Sequence, residues 1–118
     1  MVVASSLTYR YGGEKTLCFP DFAIVKSRSC LLLGNSGSGK TTLLHLLGGL
    51  LKIQTGRIQI EDLDLSKVSE PQLDRFRGRH IGFIFQRNHL ISALSVKKNL
   101  LMAHFLADLK QDDGRIEE

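Results

Sequence analysis

The sequence predicts an α/β fold, and three observations carry that reading. An apolar strand-like run, Cys30-Leu31-Leu32-Leu33, leads directly into GNSGSGKTT at residues 34–42. A leucine-rich run with helical spacing follows at residues 39–51. A second apolar run, Ile81-Gly82-Phe83-Ile84-Phe85, lies further along the chain. Short, wholly apolar runs suit strands covered on both faces, as in a parallel sheet.

Residues 34–42 have the spacing of a phosphate-binding loop: glycine, four free positions, glycine, lysine, then serine or threonine. Gly34, Gly39, Lys40 and Thr41 fill the fixed positions. Asn35, Ser36, Gly37 and Ser38 occupy the free ones, and Thr42 follows. Glycines let the backbone wrap so that several N–H groups face one phosphate. The helix that begins there adds its positive dipole end. Lys40 supplies a point charge for the outer phosphates. The Thr41 hydroxyl suits Mg²⁺, which prefers hard oxygen ligands. A glycine- and serine-rich turn that merely contains Lys-Thr is the competing reading; a strand before and a helix after favour the phosphate loop. A chain with this loop binds nucleoside phosphates or descends from one that does.

The other elements follow in order. Residues 2–11 read as a strand closing in a turn at Gly12-Gly13. Residues 16–25 read as a second strand, with Pro20-Asp21 marking an edge or a bulge. Residues 30–33 are the strand before the loop. In the helix at residues 39–51, Leu43, Leu44, Leu46, Leu47, Leu50 and Leu51 cover nearly the whole circumference, which predicts deep burial. His45 reads as packed in that helix or partly exposed, since no second metal ligand stands at i+4. Residues 57–60 alternate as a strand does. Ser69-Glu70-Pro71 is a helix start, with Leu73 and Phe76 as its apolar stripe. Residues 81–85 read as a strand, and residues 95–109 as an amphipathic helix buried through Val96, Leu100, Leu101, Phe105 and Leu109.

A chain of 118 residues allows one modest domain. With 42% hydrophobic and 24% charged residues it is globular in composition, neither disordered nor fibrous. The net charge of +4 comes from scattered basic residues, concentrated only at Arg75, Arg77 and Arg79. A scattered surplus reads as a solvated surface, so no nucleic-acid partner is expected. Cys18 and Cys30 have neither metal nor redox spacing, which points to a reducing compartment and makes Cys30 a small core residue. No apolar window is long enough to span a membrane, and Met1-Val2-Val3 does not begin a secretory signal.

Three stretches, GNSGSGKTTLLHLLGGL, TGRIQI and RHIGFIFQRNHLISALSVKKNL, resemble in wording and spacing the nucleotide-binding domain of ATP-binding cassette (ABC) transporters. Within that family they look most like ATPases of lipoprotein-release and macrolide- or glycolipid-export systems. The resemblance covers nearly the whole chain but only about the N-terminal half of the family domain. It implies a P-loop NTPase core of ABC type: an antiparallel β region and phosphate-loop core at about 1–86, and the start of the Q-loop and helical subdomain at about 87–118. It implies ATP and Mg²⁺ as ligands. Lys40 would meet the β- and γ-phosphates, Thr41 the Mg²⁺ ion and Thr42 the α-phosphate. Gln86 resembles the Q-loop glutamine, which senses the metal and γ-phosphate and touches the membrane partner. Tyr11 looks like the aromatic that stacks on adenine, with Tyr9 as runner-up; an ordinary strand-end tyrosine is the alternative. The implied partners are a transmembrane permease subunit and a second ATP-binding domain, at the cytoplasmic face of a membrane. Two positions depart from the family pattern. Ser27-Arg28 stands where Gly-Glu is usual, and Asp62 where glycine is frequent.

The sequence contains no Leu-Ser-Gly-Gly-Gln signature and no apolar run ending in Asp-Glu. The family pattern is therefore expected to be truncated before its signature and Walker B segments. No catalytic carboxylate is present on this reading, and His80, His89 and His104 come too early to act as the switch histidine. Phosphoryl transfer to water needs a residue that orients the water. The chain alone is expected to hydrolyse ATP weakly or not at all. A half-domain that binds nucleotide or a partner without turnover is the alternative. A GTPase lacks support because no Asn-Lys-x-Asp motif is present, and Arg75–Arg79 is a poor match to the lid of a small kinase.

Overall fold

The computed structural model describes residues 1–13, 15–85 and 89–106, except for the side chains of residues 103 and 104. The chain divides into two compact units, Met1–Ser69 and Glu70–Glu118.

The first unit is built on an antiparallel sheet. β1 (Val2–Tyr9) runs through its middle. On one side lie β2 (Leu17–Cys18) and β3 (Phe22–Ile24), which pair with successive stretches of β1. On the other lie β4 (Thr55–Ile60) and then β5 (Leu63–Asp64). The break between β2 and β3 falls at Pro20-Asp21, as the proline implies. There the Asp21 carboxylate accepts a hydrogen bond from the Ser6 N–H at 2.6 Å, standing in for a ladder bond.

β1 carries an irregularity that sets which residues face the core. Its pairing with β4 shifts between Ser5 and Thr8. Ser6 adopts φ 51° and is exposed, and Ala4 and Leu7 are both buried. Strict alternation would put Leu7 on the opposite face from Ala4; one extra residue returns it to the core. Gly56 of β4 lies against this bulge with φ 88°, and a Cβ there would sit 2.4 Å from the Ser6 carbonyl oxygen. The core of the unit gathers Ala4, Leu7, Leu43, Leu46, Ile58 and Leu65. Leu7, Leu46 and Ile58 are fully buried, each contributing about 1.5–3 kcal/mol of transfer free energy.

α1 spans Lys40–Leu47. It stops at Gly48-Gly49, where the Gly48 N–H donates to Leu44 O at 2.9 Å and Gly49 N–H to Leu46 O at 3.0 Å. It is shorter than the leucine pattern predicts, because this glycine pair ends it. Nor is it buried all round: Leu44 is 49% exposed, and Leu50, just past its end, is 42% exposed.

Two expected strands are not formed. Residues 30–33 and 81–85 make no ladder among the described residues. Leu31 and Leu33 are each 79% exposed, Ile84 is fully exposed, and Cys30 is exposed rather than in the core. A strand requires a neighbour to receive its N–H and C=O groups; apolar composition alone does not create one. Conversely, β5 was not evident in the sequence. It pairs with β4 through a tight turn at Glu61-Asp62, with φ 51° at Glu61. Ser27 likewise takes a left-handed φ of 60°.

The second unit contains α2 (Glu70–His80) and α3 (Val96–Leu106), which pack against each other. α2 begins where Ser69-Glu70-Pro71 predicts. Glu70 lies in its first turn and Arg77, Arg79 and His80 in its last, a distribution that complements the helix dipole. Arg77 also pairs with Asp74, so part of the basic concentration is used within the helix. Ser95 caps α3 by accepting the Lys98 N–H at 3.3 Å. Asn99 fastens the preceding turn: its Oδ1 accepts from Ile91 N–H at 2.7 Å, and its Nδ2 donates to the Ile91 and Leu94 carbonyls. The expected continuation of α3 to residue 109 lies outside the described residues.

Candidate phosphate-binding site

The glycine-rich loop enters α1 with its groups arranged for an anion. Gly39, the residue before the helix, has φ 89°, a conformation that a side chain would strain. A Cβ at Gly39 would also meet Leu17 and Phe19 at 3.2 Å, so the β2 segment braces the loop from behind. At the other end, a Cβ on Gly34 would lie 2.7 Å from Ser38 Oγ. The Ser38 hydroxyl thus occupies the place that a side chain at Gly34 would need. The Ser38 N–H to Asn35 O bond of 3.2 Å tightens its middle.

The first turn of α1 has no side-chain cap and no acidic residue. Its leading N–H groups lack intrahelical partners by construction of any helix. They and the dipole are therefore available to an anion. Lys40 Nζ donates to Gly34 O at 2.8 Å and to Asn35 O at 2.7 Å, so its ammonium lies across the mouth of the loop. The Thr41 side chain belongs to an exposed residue, whereas Thr42 is 6% exposed. The Tyr11 hydroxyl lies 3.2 Å from Thr42 Oγ1, and the Tyr9 and Tyr11 rings meet edge to face at 4.8 Å.

The structure thus brings together Tyr11, the loop residues Gly34, Asn35, Ser36, Gly37, Ser38 and Gly39, and Lys40, Thr41 and Thr42. Gln86 lies outside the described residues. Sequence reasoning missed Gln54, whose amide clamps the chain between the two tyrosines. Its Oε1 accepts from Arg10 N–H at 2.9 Å and its Nε2 donates to Arg10 O at 3.0 Å. A single glutamine before a strand carries no sequence signal for this.

A glycine-rich loop opening onto a helix beside an antiparallel sheet is the arrangement of a phosphate-loop α/β protein. The chain belongs to the ABC transporter family, whose pattern matches residues 20–118. It is 42% identical over 82 residues to the bacitracin export ATP-binding protein BceA of Halalkalibacterium halodurans, covering 70% of this chain and 32% of that protein. It is 33% identical over 117 residues to the lipoprotein-releasing system ATP-binding protein LolD of Cytophaga hutchinsonii, covering 98% of this chain and 53% of that one. Among solved structures it resembles the dimeric post-hydrolysis state of the ATP-binding cassette MJ0796 bound to ADP and Pi. The TM-score is 0.82 at 26% identity, over 98% of this chain and 52% of that one. The chain spans about a third to a half of the length of these relatives. No helix among the described residues is long and apolar enough to cross a membrane.

Proposed function

We propose that this chain is the ATP-binding part of an ABC transporter subunit of the lipoprotein-release and export type. The observation that carries the reading is Lys40, held across a glycine loop whose leading helix N–H groups have no cap. On this reading Lys40 exchanges its two carbonyl partners for the β- and γ-phosphate oxygens. The backbone of residues 34–39 cradles the phosphates, and Thr42 donates its hydroxyl to the α-phosphate. Tyr11 stacks on adenine, with Tyr9 as the second choice, and Gln86 is assigned, through the family resemblance alone, the role of sensing the metal and γ-phosphate.

The residues present fit ATP, because the Lys40 ammonium lies at the Gly34 and Asn35 carbonyls next to a helix start that no side chain caps. Mg²⁺ fits as an ion that arrives with the nucleotide. Thr41 offers one hard oxygen, and no group of three or more His, Cys, Asp or Glu among the described residues could hold a metal by itself. Bound Mg²⁺ would neutralise phosphate charge. With Thr41 and, on this reading, Gln86 as its protein ligands, Mg²⁺ is expected to strengthen ATP binding modestly.

In the assembled transporter this part would meet a permease subunit and a second ATP-binding domain, peripheral to the cytoplasmic face of the membrane. Support comes from the relatives, which are export and lipoprotein-releasing ATP-binding proteins, and from the dimeric MJ0796 structure. Calorimetry of ATP binding with Lys40→Ala tests the reading. Loss of most of the affinity is expected, because an unmatched phosphate charge is costly in a partly dry site. Equal affinities would overturn the phosphate-loop assignment.

A further inference from the structure

We infer that Gln54 is a positioning residue for the nucleobase, because its amide fixes the backbone between Tyr9 and Tyr11 while the Tyr11 hydroxyl anchors to the phosphate-loop helix at Thr42. The inference rests on the ATP-binding reading above, in which Tyr11 meets the base.

The geometry has two independent ties. Gln54 precedes β4 by one residue, and its carboxamide both accepts from and donates to Arg10, at 2.9 and 3.0 Å. That is the exchange a neighbouring strand residue would make, here supplied by a side chain just past the end of β1. Arg10 and Tyr11 are outside the strand, so the ladder does not hold them. Without the amide, the hydrogen bonds that hold residues 10 and 11 among the described residues would come down to that of the Tyr11 side chain. The second tie is the Tyr11 hydroxyl to Thr42 Oγ1, 3.2 Å, at the long end of the range for such a bond. A phosphate oxygen can only accept, so Thr42 must donate to it. The compatible arrangement has Tyr11 donating to Thr42 Oγ1, which leaves the Thr42 proton for the phosphate. The Tyr9 ring limits sideways motion of Tyr11 by its edge contact. Tyr11 itself is 40% exposed, so part of its ring remains accessible.

An ordered aromatic platform spares the ligand the cost of ordering it. Loss of Gln54 should therefore weaken ligands that carry a base and spare those that do not. The experiment measures affinity for ATP and for inorganic tripolyphosphate in the unaltered chain, Gln54→Ala, Gln54→Glu and Tyr11→Leu. Expected is a drop of about fivefold or more for ATP with Gln54→Ala, and little change for tripolyphosphate. Gln54→Glu keeps the acceptor for Arg10 N–H and loses the donor, so it should fall between, and it serves if the alanine variant does not fold. In the Tyr11→Leu background, Gln54→Ala should have no further effect on ATP. A general structural role would lower both ligands together, and that outcome overturns the inference, as does an unchanged ratio. Failure of the unaltered chain to bind either ligand would overturn the ATP-binding reading and this inference with it. Lys40-dependent binding with an unchanged ATP to tripolyphosphate ratio in the Gln54 variants overturns the inference alone.

Discussion

The Lys40 ammonium closes on the carbonyl oxygen of Gly34, 2.8 Å away, at the opposite end of its own loop. The same group bonds Asn35 O at 2.7 Å. The lysine thus occupies a ready position without being buried in an ion pair. These are exposed bonds, and exposed contacts contribute little to folding. Lys40→Ala should therefore leave stability nearly unchanged, by about 1 kcal/mol or less, while removing most ATP affinity. Urea unfolding of the nucleotide-free variant checks the first half. A large loss of stability would mean that the lysine is structural.

Gly56 should tolerate no side chain. Its φ of 88° is unfavourable for any L-residue, and a Cβ would sit 2.4 Å from Ser6 O and 2.6 Å from Ser5 O. Both obstacles are backbone, so no rotamer relieves them. Gly56→Ala is expected to cost about 2–4 kcal/mol and to disturb the pairing of β1 with β4. Chemical unfolding gives the magnitude; a variant as stable as the parent would contradict the bulge.

Asp64 gives the first unit an acid-sensitive contact. Its Oδ1 accepts from the Ser66 hydroxyl at 2.6 Å and the Ser66 N–H at 3.1 Å, and Oδ2 pairs with Arg57 Nε at 2.7 Å. The Ser66 hydroxyl is the main cause holding the carboxyl below its ordinary range; burial opposes it, and the Ser66 N–H and Arg57 add to the lowering. A depressed folded pKa stabilises the fold above the unfolded value, about 3.9, and the benefit disappears as pH falls through the folded value. Asp64→Asn should be less stable than the parent at neutral pH, and the gap should narrow below about pH 4. Unfolding midpoints of both proteins from pH 7 to pH 3 test this, and a gap independent of pH would sink it.

Turnover should be at or near background. No run of apolar residues ending in Asp-Glu occurs in these 118 residues, and the signature sequence is absent as well. Loss of a water-orienting group commonly costs about two or more powers of ten in rate. Two copies of the chain would share the deficiency, so high protein concentration should not help. Phosphate release is measured with Lys40→Ala as the control for contaminating ATPase. Clear turnover that vanishes in that variant would show that another group orients the water.

The phosphate loop was legible in the sequence because it depends on residues within a few positions of one another. Glycine spacing determines where the backbone can wrap, and Lys40 and Thr41 follow on the helix that the wrap begins. The start of α2 at Ser69-Glu70-Pro71 and the alternation of residues 57–60 are local in the same sense. Tertiary structure alone decided the rest. The apolar runs at 30–33 and 81–85 read as strands, yet a ladder needs a partner that no local pattern supplies. The leucines of α1 were equivalent by composition, and packing buried Leu43 and Leu46 while leaving Leu44 half exposed. The bulge at Ser6 required Gly56, fifty positions away. The hold of Gln54 on Arg10 spans 44 positions and uses an amide that could have pointed anywhere. Short-range chemistry is written in residue spacing; hydrogen bonds between distant segments exist only once the chain has brought them together.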